Sequence, residues 1–192
     1  MEAKGGSPPR SLDWPTRLSR RAVSPAAGSA AALTAAMGVG LLIKLARRTE
    51  SEEIPEHRER LARLLEARGR FAITAEDDAS AIRDWLSAEG LEEDDPTRQA
   101  AVEALITVPL EAAELCDWVR NTAELLLQRG HALTIPDGRA GMRLITTSQE
   151  IFCTLVEADL GAVANRALVN RIQQRLEKVK SCRAETATCQ ER

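Results

Sequence analysis

Residues 24–49 read Ser-Pro-Ala-Ala-Gly-Ser-Ala-Ala-Ala-Leu-Thr-Ala-Ala-Met-Gly-Val-Gly-Leu-Leu-Ile-Lys-Leu-Ala-Arg-Arg-Thr, and this stretch sets the tightest limit on the fold. Proline and glycine mark a turn, Ser29 stands where a helix N-cap is expected, and about four turns of small, almost uncharged side chains follow. A helix that is apolar on several faces has to be buried, and small residues on those faces let neighbouring backbones come close. Such a helix belongs at the centre of a bundle. Its first amides, with the partial positive charge of a helix N-terminus, are available to an anion or a carbonyl.

The remainder of the chain agrees with an all-α class. Aromatic residues make up only 3% of the 192, with no Tyr, so the core has to be assembled from Ala, Leu, Ile and Val. That suits close-packed helices better than a sandwich or barrel. Pro55 is well placed in the first turn of a helix carrying Leu61, Leu64 and Leu65 inward, with Gly69 as an interruption before the pattern resumes at Phe71 and runs to Gly90. Residues 97–107 form the next periodic run. Val108-Pro109 bends or restarts it, and Gly130 ends the helix beyond. Two further helices are expected, from Asp137 through Val156 and over residues 162–180. The expected architecture is a mostly antiparallel bundle of five or six helices over residues 23–180. Residues 1–22 are read as a flexible arm that docks through 12–18, and 181–192 as a polar tail.

Several classes of partner are disfavoured. A net charge of −3 lacks the basic surface that nucleic-acid binding requires. The 4 Cys have no metal-site spacing, so they are expected to be reduced thiols with no metal, in a cytoplasmic protein. Arg20-Arg21 ahead of an uncharged run to Ile43 raises an export signal or membrane span. The run is too rich in small residues and too short for a span of about 20 strongly apolar residues, so no membrane partner is expected.

On Pro25, Gly28, Ser29 and the alanines after them, residues 25–49 resemble the glycine-rich loop and first helix of the formiminotransferase-cyclodeaminase and methenyltetrahydrofolate cyclohydrolase family, whose pattern is Pro-Gly-Gly-Gly-Ser-Ala-Ala-Ala. Val108-Pro109-Leu110 has the form of that family's helix bend. Residues 76–82, Glu-Asp-Asp-Ala-Ser-Ala-Ile, resemble its Asp-x-Asp-Ala-x-Ala-Phe segment. The resemblance covers residues 18–160. It implies a homodimer with the cleft near the subunit interface, a tetrahydrofolate derivative as substrate, and no prosthetic group.

The resemblance makes Asp78 the acid/base, with Glu76 tuning it. In the family such an acid protonates a leaving ammonia as the methenyl ring closes, or directs water at the methenyl carbon to open it. Clustered carboxylates that are buried cannot all ionise freely, which keeps one protonated near neutral pH. A competing reading makes 74–77 a capping box with solvated acids. Gly28 and Ser29 are expected to donate to a pterin carbonyl or glutamate carboxylate, or simply to cap the helix. Asp137 is either an acceptor for pterin N–H groups or an N-cap, and His131, in the place of a family Asn, is a further binding candidate.

The chain also departs from the pattern. Ala26 and Ala27 replace two loop glycines, and Leu155 replaces the first Asn of an Asn-Val-x-x-Asn segment that here reads Leu155-Val156-Glu157-Ala158-Asp159. Three functions remain open: a folate one-carbon cyclohydrolase or cyclodeaminase, the same cleft turned to ring closure or opening of a non-folate substrate, and a catalytically silent helical interaction module.

Overall fold

The computed structural model describes residues 13–49 and 54–190, with side chains described for 14–49 and 54–181. Its helices are α1 (Asp13–Leu18), α2 (Ala27–Arg48), α3 (His57–Ala88), α4 (Pro96–Arg129), α5 (Ile135–Asp159) and α6 (Arg166–Gln190), with short 3-10 turns at Ala132–Thr134 and Leu160–Ala162. No strand occurs among the described residues. The fold is all-α, with six helices among the described residues.

Helix α2 lies at the centre, and its small residues explain how. Ala31, Ala32, Ala35, Val39, Leu42 and Ala46 are all buried, against α3 on one side and α5 on the other. At the α2–α5 crossing the backbones nearly touch. A Cβ on Gly38 would lie 2.9 Å from the Gly141 carbonyl oxygen, and one on Gly141 would lie 2.7 Å from that of Gly38. Farther along, Leu45 fills the space a Cβ on Gly138 would need, so α5 runs antiparallel to α2. Helix α3 is antiparallel too: His57 Nε2 sits 2.8 Å from the Ala46 carbonyl at one end, and Ser29 meets Ala75 and Asp78 at the other. One end of the bundle therefore gathers the start of α2, the second half of α3 and the end of α5.

Helix α4 covers α3 and α5, and a buried clamp fixes it. Arg120 donates to Gln149 Oε1 at 2.8 Å, and Gln149 Nε2 donates to the Ala113 carbonyl at 3.2 Å. On α6, Ile172, Leu176 and Val179 are buried and Arg175 makes two 2.7 Å hydrogen bonds to Glu114 of α4.

Several sequence expectations need correction. Gly69 does not interrupt α3, which runs unbroken for 32 residues because Leu64, Ala67 and Phe71 anchor both sides of it. Thr74 is mid-helix and donates to the Arg70 carbonyl, so 74–77 is no capping box. Pro109 does not restart a helix either. Helix α4 is continuous over 34 residues, the missing N–H being outweighed by burial of Ile106, Leu110 and Ala113 around it. Its start is set by Asp95, whose Oδ1 accepts from the Thr97 N–H at 2.7 Å with Pro96 following the cap. The last helix starts at Arg166, where Asn165 Oδ1 accepts from the Ala167 and Leu168 N–H groups, and it extends past 180. Of the expected arm, 1–12 lie outside the described residues, while Trp14 of α1 packs on the core. Helix α2 is, against expectation, long and apolar enough by composition to cross a membrane, and 11 of its 22 residues are buried inside the bundle.

Candidate functional site

The start of α2 is capped from another helix. The N-cap position is Ala26, which has no side chain able to serve, and Ser29 lies inside the first turn rather than at the cap. Asp78 of α3 takes over this role. Its carboxyl accepts the Ser29 backbone N–H, and its Oδ2 lies 2.8 Å from Ser29 Oγ. Ser29 Oγ also lies 2.9 Å from the Ala75 carbonyl. Gly28 makes this approach feasible: a Cβ there would stand 2.0 Å from Asp78 Oδ1. Before the helix, the Ser24–Pro25 peptide is cis and Ser24 Oγ donates to the Ala79 carbonyl at 2.8 Å.

Asp78 is 7% exposed, and burial pushes its carboxyl above the ordinary value of 3.8 while the Ser29 hydroxyl and N–H pull it back. A second carboxyl joins it. Asp159, the last residue of α5, is half-buried, and it too is raised, first by its own burial and then by the charge of Asp78. Sequence reasoning does not select Asp159. The signal that could have found it is its position, the second Asn of the family segment at 155–159.

Glu76 is placed differently from expectation. It is exposed and accepts from both terminal nitrogens of Arg17, at 3.0 and 3.2 Å, while Arg17 stacks on the Trp14 ring at 3.9 Å. Residues two apart on a helix do not share a face, so Glu76 meets α1 while Asp78 meets α2. Burial is the largest cause of the raised Asp78 carboxyl.

Asp137 and His131 lie at the opposite end of α2. Asp137 is in the first turn of α5, with Thr134 at the N-cap position, so it is not the cap; it pairs with Lys44 Nζ at 2.6 Å. His131 has an exposed ring, and its backbone N–H donates to Thr49 Oγ1 at 3.1 Å. At 1.5 Å per residue about 24 Å of helix separates Gly28 from Lys44. The six expected site residues thus fall into two groups within one chain. A cavity of about 310 Å³ lined by Glu93, Arg98, Gln99, Glu103 and Asn165 contains none of them. Among the described residues no three His, Cys, Asp or Glu side chains come together as a metal-ligand cluster.

Fold and site together define a class: an all-α bundle whose central helix starts on a glycine and is capped by a buried carboxyl from a neighbouring helix. Residues 13–178 match the Formiminotransferase-cyclodeaminase family, and the chain belongs to that family. Its fold is similar to the crystal structure of formiminotetrahydrofolate cyclodeaminase from Thermotoga maritima, with a TM-score of 0.81 over 90% of this chain and 87% of that one, at 18% identity. No curated relative matches the chain.

Proposed function

We propose that the protein is a folate one-carbon enzyme of the cyclohydrolase or cyclodeaminase type in which Asp78 is the acid and base. The observation that carries this reading is the buried Asp78 carboxyl, held above its ordinary value against the Gly28–Ser29 helix start. A neutral carboxylic acid can protonate a departing amine nitrogen as a cyclic amidine closes. The carboxylate that results can take a proton from water as the water attacks the same carbon to open the ring. Asp159 is the neighbouring carboxyl in this scheme, and Glu76 anchors Arg17. The chemistry calls for no prosthetic group, and the buried thiols of Cys116 and Cys153, neither of them in a disulfide, suit a reducing cytoplasm.

The same reading calls for a homodimer. Helix α2 leaves one stripe uncovered by its own bundle: Met37 is 60% exposed, and a Cβ on Gly40 would meet nothing within 4 Å. With half-buried Leu33 and Leu41 this forms a small apolar ridge at helical spacing. Met37 lies midway along α2. A two-fold axis at Met37 pairs the α2 helices antiparallel and sets the Asp78 end of one copy beside the Asp137 and His131 end of its partner.

The test follows the near-ultraviolet absorbance of methenyltetrahydrofolate against its uncatalysed hydrolysis. Accelerated decay that is lost in Asp78→Asn supports the enzyme. A second reading, a bundle repurposed for a non-folate substrate or catalytically silent, is favoured by the way Gly28 and Ser29 spend their space and their hydroxyl on Asp78. Ala26 and Ala27 stand in place of open glycines beside them. Binding without acceleration, or neither, moves the conclusion to that reading.

A further inference from the structure

Ser29 has one hydroxyl proton and two oxygen atoms within reach. The Ala75 carbonyl at 2.9 Å can only accept, and Asp78 Oδ2 at 2.8 Å accepts or donates according to its charge. Ser29 is fully buried, so its hydroxyl is closed to solvent and to any ligand arriving there. We propose that Ser29 is a positioning residue whose hydroxyl switches between donor and acceptor, holding Asp78 in one place in both protonation states. With Asp78 neutral, its O–H donates to Ser29 Oγ, and the Ser29 proton goes to the Ala75 carbonyl. Once Asp78 has given up its proton, the Ser29 hydroxyl rotates and donates to Oδ2. The Ala75 carbonyl then keeps its ordinary helix bond from the Ala79 N–H. No heavy atom has to move, and the Ser29 backbone N–H donates to the carboxyl throughout.

This deepens the reading of Asp78 as acid and base, on which it rests. A group that gives and regains a proton each turnover keeps its aim only if both forms are hydrogen-bonded, because an unsatisfied buried polar atom is costly. The charged groups around Asp78 do not supply that service. On its own helix, Glu76 is bound by Arg17 of α1; α5 brings Asp159, another carboxyl, and the first four turns of α2 carry no titratable side chain.

The two states can be told apart in the full chain by denaturant unfolding across the acid-to-neutral range. Under the switch, Ser29→Ala lowers the folded-to-unfolded ratio by roughly 3- to 10-fold, the worth of one hydrogen bond, both below and above the Asp78 titration. The same loss is expected in an Asp78→Asn background, because the amide Nδ2–H reproduces the neutral acid's donor. The protonated-carboxyl infrared stretch, identified by its absence in Asp78→Asn, moves to higher wavenumber in Ser29→Ala. If Ser29→Ala does not fold, Ser29→Cys, a weaker donor and acceptor of similar shape, replaces it in each measurement. A cost that vanishes at low pH and in Asp78→Asn shows a donor to the carboxylate alone, and an unmoved carboxyl stretch shows no bond to the acid; either result overturns the proposal. Folate turnover takes no part in these measurements, so a failure of the switch is distinguished from a failure of the catalytic reading.

Discussion

The missing side chain of Gly28 is what lets an aspartate of α3 cap α2. Gly28→Ala brings a Cβ within 2.0 Å of Asp78 Oδ1 and forces that buried carboxyl aside. We expect a loss of about 1–3 kcal/mol in denaturant unfolding. In an Asp78→Ala background the same substitution should cost much less, since the clash is gone. The pH dependence follows from the direction of the shift. The folded value of Asp78 is raised above its unfolded value, so protonation favours the folded state. Relative to Asp78→Asn, the wild type is therefore most stable below the ordinary value of 3.8 and loses ground as pH rises through the folded value; Asp159 is raised as well and acts in the same sense. Unfolding midpoints of the two proteins against pH check this. Asp78 and Gly28 can be picked from the sequence because they sit in short motifs. The inward aim of Ser29 cannot, because cap and first-turn positions differ only by where the preceding loop enters. Asp159 is hidden as well: it reaches Asp78 only because α5 runs its full 25 residues antiparallel to α2.

Elements are legible wherever apolar spacing carries them, and are misread where one residue is allowed to overrule its neighbours. Gly69 and Pro109 are both poor helix residues, worth about 1 and 3 kcal/mol against Ala. Each lies between side chains whose burial contributes more: Leu64 and Phe71 around the glycine, Ile106 and Leu110 around the proline. The glycines of the bundle divide accordingly. Gly69 is exposed, with no atom within 4 Å of where a Cβ would stand, so Gly69→Ala should stabilise the protein by roughly 0.5–1 kcal/mol. Gly38→Ala and Gly141→Ala each push a methyl against the facing backbone and should destabilise it by about 1–3 kcal/mol. Thermal melts of the three variants test the α2–α5 crossing, and equal behaviour of all three would contradict it.

For the whole molecule, a single chain keeps Asp78 apart from Asp137 and His131, and the proposed dimer through the uncovered ridge of α2 would bring the two ends together. Met37→Glu sets a charge in the middle of that ridge. It should convert a dimer to monomer in light scattering and lower turnover with it, while leaving the unfolding midpoint of the monomer little changed. Mixed and refolded copies of Asp78→Asn and Asp137→Asn should recover activity that neither has alone, since a hybrid dimer retains one intact pairing of the two ends. The loss and recovery of turnover in these variants depend on Asp78 moving a proton on a folate substrate. The direct test is the decay of methenyltetrahydrofolate in the presence of wild type and of Asp78→Asn, with circular dichroism showing both folded. Acceleration by the wild type that is lost in the folded Asp78→Asn protein is the predicted result. Equal acceleration by both would contradict the account, because an amide of the same shape cannot give or take the proton.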